Sequence, residues 1–323
     1  ELSASIGGNV GTNAGGMRAV KYGVTRQNVL GLQAALPTGE LIRTGGRITK
    51  LSTGYDLTQM IIGSEGTCAL ATEITVRLYP RLGHSATLLA PFPDLPAVMR
   101  AVPAVVRSGV DPVILEYVDK LTLAAISYSQ NLNLGIPDAV RDTAEAHLVV
   151  GVENRDRERL DDDVAMLGEL LASLGAADVY VLEGNSAHAL IEAREKAFWT
   201  AKAAGAHDVI DVVVPRAQMH QFLSKAKELA QEAGAGVVGC GHAGDGNVHL
   251  AVFCADDEVR HRLLHDIFAA AMALGGAISG EHGLGRVKTP HFLELEDPVK
   301  VALMRRIKDA FDPAGILNPG VLL

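Results

Sequence analysis

An α+β architecture in two parts follows from three features of the 323-residue sequence. Residues 1–80 alternate glycine-rich turns with short β-branched or apolar runs, at 28–35, 41–44 and 71–78, which predicts a sheet-rich partial domain. From His84 onward, strand-like runs alternate with helices of 3.6-residue periodicity. Residues 237–240 and 248–254 flank a short Gly/Asp/Asn loop, the pattern of an antiparallel hairpin.

The elements of the second part follow in order. Strands are expected at 85–91, 113–118, 147–153, 180–183 and 209–214. Helices are expected at 95–107, at 157–174, and from a Ser186 cap to about residue 204. Met219, Phe222, Leu223, Ala226 and Ala230 mark one face of another helix. Residues 257–274 form an amphipathic helix stopped by Gly275 and Gly276, with a short apolar strand at 277–279. Such alternation builds helices onto a sheet.

Composition narrows the function. Hydrophobic residues make up 48% and charged residues 21%, as in ordinary globular proteins and unlike disordered chains. A net charge of −9 and 4% aromatic residues lack the basic footprint and stacking platforms of nucleic-acid binding. No apolar run approaches the roughly 18 to 20 residues of a membrane span. Three cysteines, Cys68, Cys240 and Cys254, without a C-x-x-C pair indicate neither a disulfide framework nor a cysteine-bound metal, and a reducing, cytoplasmic setting is expected. The chain opens on Glu1 rather than Met, so a piece of a longer protein is expected.

Two separated stretches carry the strongest chemical signal: Gly241-His242-Ala243-Gly244-Asp245-Gly246-Asn247-Val248-His249, and Ser279-Gly280-Glu281-His282-Gly283. A hairpin would bring His242 and His249 to one rim, and Glu281 could add a carboxylate there. Two imidazoles and one carboxylate with open coordination positions suit a catalytic divalent metal. Spacing alone leaves surface histidines equally open. His261 and His265 share a helix face without an H-E-x-x-H motif, and are expected to be solvated. His84, His147, His188, His207, His220 and His291 have no partner in sequence and are expected to be structural or exposed.

A second signal is Ile6-Gly7-Gly8-Asn9-Val10-Gly11-Thr12-Asn13-Ala14-Gly15-Gly16, continued by Lys21-Tyr22-Gly23. Bare backbone with interleaved Asn and Thr is a nucleotide cradle or a run of tight turns, and it matches neither the Rossmann nor the P-loop fingerprint. A third, Gly54-Tyr55-Asp56-Leu57 through Gly63-Ser64-Glu65-Gly66-Thr67, suggests a short helix and a turn exposing Ser, Glu and Thr.

Together with residues 211–216, Gly283-Leu284-Gly285 and Asn318-Pro319-Gly320, these stretches resemble, in order and spacing, the FAD-linked oxidases of the vanillyl-alcohol oxidase type. The branch is that of the glycolate oxidase FAD-binding subunit, D-lactate dehydrogenase and D-2-hydroxyglutarate dehydrogenase. The resemblance implies the C-terminal part of a split FAD-binding domain at 1–82, an antiparallel cap domain covered by helices at 83–295, and a tail at 296–323 returning to the FAD. It places the family's first FAD lobe before Glu1, so the piece alone is expected to be impaired in retaining flavin.

By this resemblance Gly7, Gly8, Asn9, Thr12, Asn13, Gly15, Gly16, Tyr22, Gly23, Glu65, Gly66 and Asn318 would contact FAD. His242, His249 and Glu281 would hold zinc, or manganese as in some relatives, and His282 would be the catalytic base. Arg194 would grip the substrate carboxylate; a surface ion pair with Glu192 or Glu195 is the alternative. The implied reaction is oxidation of a small D-2-hydroxy acid to the 2-oxo acid by hydride transfer to flavin. Apolar Val209, where hydroxyglutarate enzymes carry Lys, favours glycolate or D-lactate. The implied partners are a redox subunit or a quinone or cytochrome acceptor, with peripheral membrane attachment through that partner. Cys68-Ala69-Leu70 and Val321 depart from the family pattern. A non-catalytic remnant that binds a redox partner, or a flavin-independent metal hydrolase, are the other readings.

Overall fold

The computed structural model describes residues 4–323. They form two compact units: residues 4–16, Tyr22–Pro80 and Ile278–Leu323 make the smaller, and Met17–Lys21 with Arg81–Ala277 the larger. Residues 278–295, expected with the cap, therefore belong to the smaller unit. The physical reason is Glu65, whose carboxylate accepts N–H bonds from Leu284 and Gly285, each at 2.8 Å.

In the smaller unit, β1 (Val29–Ala35) pairs antiparallel with β2 (Leu41–Gly45) on one side and β3 (Leu70–Val76) on the other. Val10, Val29, Leu32, Ala34, Ile61 and Ile62 form its core. The glycine-rich run expected as turns is instead a helix, Ile6–Thr12. Glycine disfavours helix by about 1 kcal/mol per residue. Here Ser5 caps the first turn by accepting from the Gly8 N–H, Val10 is buried, and Asn13 ends the helix in the left-handed region at φ 55°. Asp56 caps the helix Leu57–Ile61. Ser64 and Thr67, expected to be exposed, are buried. The helix Pro298–Phe311 leads to a tail tied down by Lys308, which donates to the carbonyls of Thr67 and Leu317 and to Asp312.

The larger unit is built on a seven-stranded sheet of antiparallel pairs. Its strands are β4 (His84–Phe92), β5 (Ile114–Asp119), β6 (Ala146–Asn154), β7 (Tyr180–Leu182), β8 (Asp208–Val213), β9 (Gly236–Gly241) and β10 (Asn247–Phe253). Their spatial order is β7-β4-β6-β5-β9-β10-β8. One face, through Leu89, Val118, Val149 and Cys240, packs on helices Lys120–Gln130, Gly184–Glu195 and Ala197–Ala203. The alternate residues Leu88, Leu115, Leu148 and Val150 are also buried, so both faces of the sheet are covered. Helices Leu95–Arg107, Arg157–Ser173, Met219–Glu232 and Asp257–Ala273 supply further packing on β4, β6, β9 and β8.

Two expectations change. Ser186 lies inside a helix that begins at Gly184, because the chain enters it from extended Glu183 without a side-chain cap. The strand expected at 277–279 is a single bridge from Ala277 to Val213. No helix among the described residues is long and apolar enough to cross a membrane.

Candidate functional site

The hairpin places the histidines of the larger unit. β9 and β10 pair with His249 opposite Cys240, and His242 follows directly after β9. The two imidazoles meet edge to face with ring centroids 4.9 Å apart. Gly241 permits this approach: a Cβ there would lie 2.2 Å from the Asn247 carbonyl oxygen and 2.9 Å from the Tyr117 ring. At Gly244 a Cβ would lie 2.4 Å from Val20.

Behind His242 is a residue not singled out in the sequence. Glu116, on β5, is fully buried and brings Oε1 to 2.5 Å from His242 Nδ1. Its Oε2 lies 2.8 Å from Nη2 of Arg194. Arg194 and His242 are 8% and 6% exposed, so the row Arg194–Glu116–His242 is inside the protein. The surface pairing considered for Arg194 is corrected here: Glu192 pairs with Lys196 instead, at 2.8 Å. Arg194 turns inward because Leu190 and Ala193 on the same helix pack into the core, and its charge meets Glu116 on the sheet face beneath. One sequence signal could have found Glu116: a carboxylate in the apolar run Val113-Ile114-Leu115-Glu116-Tyr117-Val118.

Asp211, fully buried on β8, is the register partner of His249. Cys240, the partner of His249 on its other side, is also buried, and burial pushes its thiol up to about 11. It stays protonated and acts as a core residue.

Glu281 and His282 belong to the smaller unit. Glu281 Oε1 lies 3.7 Å from His282 Nε2, and His282 is 42% exposed in its side chain. Gly15 leaves room for this carboxylate, since a Cβ there would be 3.1 Å from Glu281 Oε2.

Several residues expected at the FAD prove to hold the smaller unit together. Asn13 accepts the Arg26 N–H through Oδ1 at 2.9 Å. Glu65, at φ 51°, gives its carboxylate to Leu284 and Gly285, while Asn318 donates to its carbonyl. The Tyr22 and Tyr79 rings pack with centroids 4.8 Å apart at a tilt of 53°, and the Asn28 amide donates to the carbonyls of Tyr22, Gly23 and Val24. By contrast, Cβ atoms added at Gly7, Gly11 or Gly16 would meet nothing within 4 Å. This bare backbone, with Asn9 and Thr12 half-buried beside it, suits a flat cofactor laid against it. The histidine pair likewise suits a divalent cation, because imidazoles are metal ligands and the Glu116 carboxylate holds the His242 ring from its Nδ1 side.

Of the other histidines, His147 and His291 are buried, and His207 accepts the Cys254 N–H at 3.2 Å. His261 is exposed, and His265 lies 3.4 Å from Asp266.

Comparison with known proteins extends this picture. The model for the C-terminal domain of FAD linked oxidases matches residues 82–322, and that for an FAD binding domain matches residues 2–45. An uncharacterized FAD-linked oxidoreductase of Mycobacterium tuberculosis is 67% identical over all of this chain and 70% of its own length. A D-lactate dehydrogenase of Archaeoglobus fulgidus is 37% identical over 98% of this chain and 69% of its own length. A glycolate oxidase subunit of Bacillus subtilis is 34% identical over 98% of this chain and 67% of its own. Substrate-bound p-cresol methylhydroxylase is similar in fold, with a TM-score of 0.76 at 18% identity over 99% of this chain and 69% of that one. The chain belongs to the FAD-linked oxidase family, an FAD-binding oxidoreductase with the fold of the vanillyl-alcohol oxidase type.

Proposed function

We propose that the chain serves an FAD- and divalent-metal-dependent dehydrogenase that oxidises a small D-2-hydroxy acid, of the D-lactate or glycolate type, to the 2-oxo acid. The observation that carries this reading is the imidazole pair His242–His249, with His242 held from behind by a buried carboxylate. When bound, FAD supplies a two-electron acceptor and a divalent cation, zinc or manganese, supplies Lewis acidity. His242 and His249 would hold the cation through their imidazoles, and Glu281 would supply the carboxylate of the set.

His282 is the base that takes the hydroxyl proton of the substrate. It is partly exposed, so it can exchange that proton with solvent. Gly7, Gly8, Asn9, Thr12 and Gly16 offer the surface for FAD, with Gly15, Gly23 and Gly66 keeping neighbouring turns slim. The names of the archaeal and Bacillus relatives, and apolar Val209 on β8, favour a monocarboxylate. A redox subunit, a quinone or a cytochrome would be the electron acceptor.

The test separates the roles in the full-length flavoprotein. His242→Ala lowers zinc content measured by elemental analysis, whereas His282→Ala abolishes D-lactate or glycolate turnover with zinc retained. Equal zinc loss in both variants would overturn this division.

A further inference from the structure

We infer that Glu116 is a positioning residue for the metal centre: anchored by Arg194, it fixes the proton of His242 on Nδ1 and turns Nε2 into the ligand atom. The inference rests on the reading of His242 as a ligand and adds two residues that act through it.

The geometry leaves Glu116 little freedom. It is fully buried in the middle of β5, with its neighbours Leu115 and Tyr117 directed to the other face. The β5–β9 register pairs Val118 with Cys240 and Tyr117 with Gly241, so continuing the register one step sets Glu116 against His242. Oε1 meets His242 Nδ1 at 2.5 Å and Oε2 meets Arg194 at 2.8 Å, so each carboxylate oxygen has its own cationic or N–H partner. A carboxylate accepts and does not donate, so the bond needs the His242 hydrogen on Nδ1. The other ring nitrogen then carries the lone pair, and the ring plane is set by a strand rather than by a loop. Such a carboxylate behind a ligating histidine orients the ring and raises its basicity, and its loss weakens metal binding by about 10- to 100-fold. Arg194 acts one step further back, since without it Glu116 would be a buried carboxylate lacking its counter-charge.

The full-length protein, freed of metal, is compared with Glu116→Gln and with the double variant Glu116→Leu/Arg194→Met. The double variant removes both charges together and so avoids leaving a buried ion alone. Thermal unfolding verifies that each variant is folded. Nitrogen chemical shifts of labelled histidine report the tautomer of His242, and chelator competition reports zinc affinity. We expect the wild-type protein to show the hydrogen on Nδ1, the double variant to show a mixture of tautomers, and both variants to bind zinc about 10- to 100-fold more weakly. An unchanged tautomer together with unchanged zinc affinity in the folded double variant would overturn the inference. A wild-type protein that takes up no zinc, yet loses the Nδ1 tautomer when Glu116 is removed, supports the tautomer assignment and overturns the metal reading instead.

Discussion

Glu65 offers a sharp test of how the smaller unit is assembled. Its two carboxylate oxygens each accept one backbone N–H at 2.8 Å, from residues 219 and 220 positions further along the chain. Its own N–H donates to the Gly11 carbonyl at 2.7 Å, and its carbonyl accepts from Asn318. One residue thus ties together all three segments of the unit. Glu65→Gln keeps the shape but replaces one acceptor oxygen with an NH₂ group facing an N–H donor. A charge-assisted bond contributes about 1.5–3 kcal/mol, and the orphaned N–H costs about 1–3 kcal/mol if water cannot reach it. Half-burial of the site moderates both, so about 2–4 kcal/mol of destabilisation is expected. Urea unfolding of the flavin-free chain measures it. Were Glu65 instead a direct flavin contact with no structural duty, Glu65→Gln would leave the unfolding midpoint unchanged and weaken only flavin uptake. That result would refute the reasoning.

Further outcomes follow from particular contacts. His147 is 1% exposed and burial holds its imidazole down to about 4, below the ordinary value near 6.5. The unfolded chain binds the extra proton first, so stability is intact above pH 6.5 and falls by about 3 kcal/mol as pH drops to 4; His147→Leu should flatten that slope in denaturation curves. Gly241→Ala drives a methyl into the Asn247 carbonyl and the Tyr117 ring, and should destabilise by at least about 1–3 kcal/mol in the same assay. Gly15→Ala presses tightest, at 3.1 Å, on the flexible carboxylate end of Glu281 and meets Val24 at an ordinary 3.4 Å, so zinc affinity should fall while the unfolding midpoint stays within about 0.5 kcal/mol of wild type.

Much of the larger unit was legible in sequence because each element carried a local signal. The helix Leu95–Arg107, the hairpin β9–β10 and the Met219–Glu232 stripe follow directly from periodicity and turn residues. The helix Ile6–Thr12 was hidden because its three glycines and asparagine argue for turns, and only the cap at Ser5 and burial of Val10 reverse that preference. The imidazole pair could be anticipated from the hairpin, since register brings rim residues together. Glu116 and Arg194 could not be joined to it by spacing. Glu116 meets Arg194 78 positions on and His242 126 positions on, and the second contact depends on β5 lying beside β9, which no local pattern encodes. Burial was equally invisible at Ser64 and Thr67, whose polar side chains suggest a wet turn.

The most direct measurement is anaerobic mixing of the full-length, FAD-loaded protein with D-lactate, glycolate and L-lactate, with zinc present and after chelation, while the flavin's visible absorbance is followed. Rapid bleaching by D-lactate or glycolate, weaker with L-lactate and abolished by chelation in parallel with His242→Ala, is the expected result. Flavin that stays oxidised with every acid, or that bleaches equally well without metal, would contradict a metal-dependent D-2-hydroxy-acid dehydrogenase.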